Sequence, residues 1–585
     1  DTNVGKKKLS VKTKRKAPTQ EDLAETLEVK FTDEIKEQAK YLENHPVKIY
    51  EWVKNNVNYE PYYGSLKGAQ QTLRETAGND YDQASLLIAL LRASNIPARY
   101  VSGTIEMPIE RLQSWLGGVN DQMAAVQIMA TNGIPGNTIR SGGKIKSVRF
   151  EHVWVEAYVP MFPSMGAANY GVKAWTVIDP SFKEAIVNKN MKAINIESFD
   201  EMSYLTSDNA TMPPLLFYMK EIIGDDTDKI VEFSNNLYYK GIDVKFFNSF
   251  LGTLQYKIIN KQSYGSIPDA KRHKVKLGVF SKVEYNNEMV SVEKNIVEMA
   301  GKKITLSFVP ATSEDQDIIS LYGGLLYTPL YLLTVKPEIA ADNTILMTGN
   351  SMNLGSELFL RTKIISPNLN TEVMDTDITH GIDFIIGITA LDYTGKQIID
   401  QIDVQNNYEG YLYDSINQMD DRAGDMLQNI AIEYLDQLNK TTSFIDGVMH
   451  IHNTKMPSVI IVSADAYYDE IFGVSSSLEQ ITSLTIDAIN LVFSPIAIDG
   501  DQNRRKEYIK QRGLNSSYLE HRVLENFIKL EVVSAVKALI TASQYGIPIY
   551  NIDSSNVNSI MPLLTVSERV KTNINNAINA GKEVI

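Results

Sequence analysis

The chain of 585 residues contains no cysteine. That absence excludes disulfides, thiolate metal sites and catalysis by a cysteine nucleophile. Cationic charge is also in deficit, with 57 Lys and Arg against 71 Asp and Glu and a formal net charge of -14. Recognition of phosphate backbones needs a concentrated basic face, so nucleic acid is not expected as a partner. Uninterrupted apolar runs of 18 residues are missing, so no transmembrane segment is expected. Missing too are a phosphate loop, a dinucleotide fingerprint and a zinc-peptidase helix. What remains is a composition normal for globular protein, 43% hydrophobic and 22% charged, and long enough for two to four cores.

Composition and periodicity divide the chain into five parts. Residues 1–26 are lysine-rich and read as a basic disordered leader. Residues 27–200 carry helical spacing and then three strands, the pattern of an α+β domain. Residues 201–230 read as a helical linker. Residues 231–414 hold short strands separated by turn residues, which predicts one or more β-sandwich modules. Residues 415–585 mix long helices with strands as an α/β C-terminal region, and the closing "KEVI" reads as a strand cut short in a larger protein. The fold class expected is therefore α+β multidomain.

Within the first domain, Thr32 is placed to cap a helix whose first turn holds Asp33 and Glu34, and Pro46 is expected to interrupt it. The stretch "DQASLLIALLRA" (82–93) is apolar almost all round and predicts a buried helix. "IPARYVSGTIE", "VRFEHVWVEAYVP" and "KAWTVIDPSFK" alternate as strands, with a long insertion between the first two.

Three pieces line up in chain order: the start of the buried helix at Asn79, Asp80 and Tyr81, then His152 inside the second strand, then Asp179 at the end of the third. A group at a helix N-terminus, an imidazole on a strand and a carboxylate on the next strand follow the logic of an activated-nucleophile triad. Asn79, Tyr81, Trp154 and Trp175 flank these positions and are candidate binding residues.

The stretches "IYEWVKNNVNYEPY", "DQASLLIALLRASNIPARYVSG", "HVWVEAYV" and "WTVIDPS" together resemble the transglutaminase-like superfamily, which has the papain-like cysteine peptidase fold. The resemblance covers about residues 45–185. It implies that His152 and Asp179 stand at the family's catalytic His and Asp, and that Asp80 stands where the family keeps its cysteine. Beyond residue 200 the chain is similar to long bacterial secreted or cell-envelope proteins that combine such a domain with RHS-type modules.

Asp80 has three readings. It is an N-cap, forming a variant capping box with Gln83. Or it joins His152 and Asp179 as ligands of a divalent metal. Or it attacks directly, which on an amide would give an unfavourable mixed anhydride. If both carboxylates lie close, His152 is expected to be protonated near neutral pH.

Three functions follow. The first is a non-catalytic, cofactor-free module that binds a peptide or cell-envelope polymer in the former active-site groove. The second is a hydrolase or metal-dependent enzyme using Asp80, His152 and Asp179. The third is an architectural segment of a larger secreted assembly, with protein partners or the remainder of a longer polypeptide. The paired imidazoles of "HIH" (450–452), the acidic loop at Asp499, Asp501 and Asn503, and the group Ser516, Ser517, Glu520 and His521 are set aside as chance spacing, an incomplete calcium loop and a cap.

Overall fold

A computed structural model describes residues 17–160, 173–187, 201–206, 242–245, 256–283, 287–378, 385–390, 414, 422–453, 458–471, 474–490, 495–528 and 531–585. Residues 1–16 of the expected leader and 207–230 of the expected linker lie outside these.

The first unit starts with two helices, α1 (Asp33–Tyr41) and α2 (Pro46–Asn56). The Thr32 hydroxyl accepts from the Ile35 amide. Pro46 opens a helix instead of interrupting one, because the first helical position has no backbone partner to lose. Glu43 and Asn44, both at positive φ, make the turn between them. Two short parallel strands, β1 (Asn58–Tyr59) and β2 (Ala77–Gly78), flank α3 (Gly68–Glu75). The helix α4 (Asp80–Ala93), apolar from Leu86 to Leu91, is buried from Asp80 to Arg92 and forms the centre of the unit.

Over α4 lies an antiparallel sheet. Its two long strands, β3 (Ala98–Pro108) and β5 (Lys144–Pro160), pair with Gly103 opposite His152. The insertion between them holds α5 (Ile109–Trp115), α6 (Gln122–Thr131) and β4 (Gly136–Ser141), the last paired with β5. On its other half β5 pairs with β6 (Lys173–Ile178), which delivers Asp179.

This unit does not close at residue 200. Lys257–Ile258 and Gln262–Tyr264 add to the free edge of β3. Tyr256 and Ile267 belong to its apolar core. The strands were visible as a β-rich stretch; that they serve the earlier domain was not.

The rest is built on two further sheets. One is four-stranded and antiparallel, in the order Glu288–Asn295, Lys274–Ser281, Leu358–Ile365, Glu372–Ile378. The other runs Thr344–Thr348, Thr334–Ala341, Ile304–Pro310, Ile385–Ala390, Ser458–Ile471, Val474–Asn490. Its last two strands come from beyond residue 414, so the expected boundary there does not separate two units. One apolar core joins both sheets to the helices Arg422–Met449 and Gln502–Ile528. The long helical stretch expected to run to Gly546 is broken, and Ser534 caps a separate helix, Ala535–Gln544. "IPIYNID" makes only a single bridge, Ile552 to Val584, and not a strand.

Candidate functional site

The N-terminus of α4 is capped by Asn79 and not by Asp80. The Asn79 Oδ1 accepts from the Asp82 amide at 2.9 Å, and its Nδ2 donates to the Tyr62 and Gly64 carbonyls at 2.9 and 2.7 Å. The variant capping box with Gln83 is absent. Gln83 instead donates to the carbonyls of Asn58 and Gly78. Because Asn79 supplies the cap, Asp80 is free to face β5. Its Oδ1 accepts from the Tyr81 amide at 3.1 Å and its Oδ2 from the Val153 amide at 2.9 Å.

His152 stands between two carboxylates. Its Nδ1 lies 3.0 Å from Asp80 Oδ2, and its Nε2 lies 2.9 Å from Asp179 Oδ2. The Nε2 contact is an aligned hydrogen bond. The Nδ1 contact has the distance of an ion pair, but the N–H does not point along it. Asp179 is held further by the Tyr256 hydroxyl at 2.7 Å, the Ser181 hydroxyl at 2.8 Å and the amides of Ser181 and Phe182.

His152 has 0% of its surface exposed, Asp80 6% and Asp179 5%. Burial alone works against the charged imidazole, but the carboxylates of Asp179 and Asp80 raise it to about 9. Burial likewise opposes ionisation of Asp179, and the His152 charge with the Tyr256 and Ser181 hydrogen bonds brings it down to about 2. The cluster is thus an imidazolium between two carboxylates. Aromatic rings enclose it: Trp115 and Tyr256 edge-on at 5.4 Å, Trp154 and Phe150 at 6.1 Å.

This arrangement does not fit a shared metal. The two carboxylates sit on opposite ring nitrogens of one imidazole, so the three groups cannot converge on a single ion. Among the described residues no group of three or more His, Asp or Glu is placed to hold a metal.

Residues 29–180 match the family model of the transglutaminase-like superfamily. They form a transglutaminase-like domain. A solved structure of a candidate cysteine protease from Cytophaga hutchinsonii is similar at 22% identity and a TM-score of 0.16, covering 27% of this chain and 40% of that one. No curated protein matches the chain.

The transglutaminase-like domain brings Asp80, His152 and Asp179 into one cluster from three separate elements. The candidate binding residues are differently placed. Asn79 is spent on the cap. The Tyr81 hydroxyl donates to Glu151 at 3.2 Å. Trp154 packs beside His152, whereas Trp175 lies under the Arg99 guanidinium at 3.9 Å, with no ring contact to the imidazole. All four are buried, so none presents a face to a ligand.

Three contributors escaped sequence reasoning. Trp115 comes from the insertion and donates its indole N–H to the Ser181 carbonyl. Tyr256 follows Asp179 by 77 residues, a separation with no periodic signal. Lys183 is buried and donates to the Gln83 side-chain oxygen at 3.0 Å. Burial pushes its amine down to about 7, against the attraction of Asp179.

The groups set aside from sequence do not form sites either. His450 is in a left-handed turn while His452 is in a strand. Ser516 bonds to Tyr434, Ser517 accepts from Val536, and His521 bonds to Ser534, so they do not converge.

Proposed function

We propose that this transglutaminase-like domain is non-catalytic and that its former active site now serves as a charge-paired structural core, leaving the domain a binding and architectural role. The observation that carries this reading is the His152 imidazole clamped between Asp80 and Asp179 at 3.0 and 2.9 Å with no exposed surface. A general base must have a free site for a proton, and an imidazole held near 9 is already protonated at neutral pH. A carboxylate in the nucleophile position is no substitute, because its attack on an amide yields a mixed anhydride of higher energy. The ring cage supports the same reading, since the imidazole has no exposed atom and little of either carboxylate is left for a substrate carbonyl to meet.

A peptide or cell-envelope polymer is the class of ligand this reading retains, and an architectural place in a larger secreted assembly is compatible with it. The envelope setting is supported only by the sequence resemblance and is tested by localising the protein. The catalytic part is tested by assaying purified protein for amide hydrolysis and acyl transfer, beside an Asp80→Cys variant. The expected result is no turnover in the native chain. Turnover that disappears in His152→Ala would overturn the reading.

A further inference from the structure

We propose that the outer edge of β3 is a docking site for a basic extended peptide, filled here in cis by residues 256–264. This deepens the reading above by naming the ligand class, and it rests on that reading only for the site being non-catalytic.

Four observations converge on the proposal. First, the segment joins the edge as a strand would, with Gln262, Ser263 and Tyr264 opposite Ser102, Val101 and Tyr100, and Lys257 and Ile258 opposite Glu106 and Ile105. Main-chain pairing of this kind accepts an extended chain with little regard to sequence. Second, the edge is shaped to admit it. Between the two paired stretches the segment arches over Gly103, and a Cβ there would lie 2.0 Å from the Asn260 carbonyl oxygen. Gly103 lies directly opposite His152 in the sheet, so the arch passes beside the charged cluster.

Third, side chains read the segment at two places. The Asn260 Oδ1 accepts from the Thr104 amide at 2.9 Å, and the Tyr256 hydroxyl donates to Asp179 at 2.7 Å. Fourth, charge is complementary. Lys261 pairs with Glu156 at 2.7 Å and Lys257 faces Glu106. Glu106 on β3 and Glu156 on the neighbouring β5 supply the carboxylates, each shared with an arginine, Arg149 and Arg99, and the segment adds the ammonium groups. The ligand class is therefore a strand with an aromatic hydroxyl first, lysines at the second and sixth positions and asparagine at the fifth.

The test uses the full-length protein with Asp80 intact and a fluorescent peptide of sequence YKIINKQSY. The native chain, its edge occupied, should give no saturable binding. Tyr256→Ala with Asn260→Ala removes the two hydrogen-bonding anchors, leaving the Lys261 ion pair to Glu156, and should free the edge. Hydrogen exchange should then show faster exchange at the amides of residues 101–105, and the peptide should bind saturably. Adding Gly103→Val to that variant should reduce affinity at least tenfold, as should a peptide with alanine at its first position.

Edge amides that remain protected in the double variant would overturn the proposal, since these anchors would then not hold the segment. Binding that ignores Gly103, or absence of binding to a freed edge, would overturn it too. Should the double variant fail to fold, Asn260→Ala alone is read by the same exchange measurement, with faster exchange expected at Thr104. None of these readouts involves turnover, so their failure is distinguishable from failure of the non-catalytic reading.

Discussion

At the residue scale the decisive fact is where the His152 proton lies. Its folded value of about 9 stands above the ordinary 6.5, so the stability it contributes is complete below about pH 6.5 and is lost as pH rises through 9. Asp179, held near 2 against an ordinary 3.8, contributes stability above about pH 4 that is lost as pH falls through 2. These are two ends of one ion pair and are not summed. At about 1.4 kcal/mol per pKa unit, the alkaline loss is on the order of 3 kcal/mol. Lys183 runs the opposite way. Its buried amine is lowered to about 7, so its penalty is relieved as pH rises above that value. The His152 contribution should therefore be read in a Lys183→Met background, by urea unfolding at pH 6 and pH 9. NMR titration should place the imidazole well above 6.5, and Asp80→Asn should lower it by a unit or more. A His152 that titrates at or below 6.5 in the native chain would refute the clamp.

At the scale of elements, the start of α4 shows what the sequence disclosed and what it withheld. The buried helix was legible because "LLIALL" leaves no polar face for solvent. The three strands were legible from alternation, and His152 and Asp179 from their place on those strands. The cap was not, because Asn79 and Asp80 are both good cap residues and adjacent. What separates them is tertiary: Asn79 can donate as well as accept, and the Tyr62 and Gly64 carbonyls need donors. Asp80 cannot donate, so it takes the next position and faces the Val153 amide. Asn79→Ala should then cost more than an ordinary cap. Losing the cap costs about 1 kcal/mol and leaving two buried carbonyls unpaired adds to it, for a total of about 2–4 kcal/mol. Asn79→Asp keeps the cap but loses both donors, and should recover only the smaller part. Equal stability of the two variants in urea unfolding would show that the side-chain donors carry nothing.

At the scale of the whole molecule, the family-sized domain shares its core and its sheet with residues far along the chain. The match ends at residue 180, yet the cluster at its centre is closed by Tyr256, and the free edge of its sheet is covered by residues 257–264. Further along, Arg272 pairs with Glu28 at 2.5 Å, and His273 bonds at once to the Tyr63 carbonyl and the Ser366 hydroxyl. The boundary expected at 200 rests on strand alternation giving way to helical spacing there, but such a change does not report which core a returning strand joins. A fragment of residues 17–187 would lose the Tyr256 ring, about 1.5–3 kcal/mol of burial, and a hydrogen bond to a carboxylate of about 1.5–3 kcal/mol. Together these are a large share of the 5–15 kcal/mol that holds a typical domain. The fragment should therefore show weak near-UV ellipticity and a broad thermal transition. Its His152 should react readily with diethylpyrocarbonate, while in the full chain that residue stays inert. Appending residues 256–273 through a flexible linker should restore both the sharp transition and the protection of His152. A fragment ending at 187 that unfolds as cooperatively as the full chain, with its imidazole still shielded, would show that the returning segment decorates the domain and does not complete it.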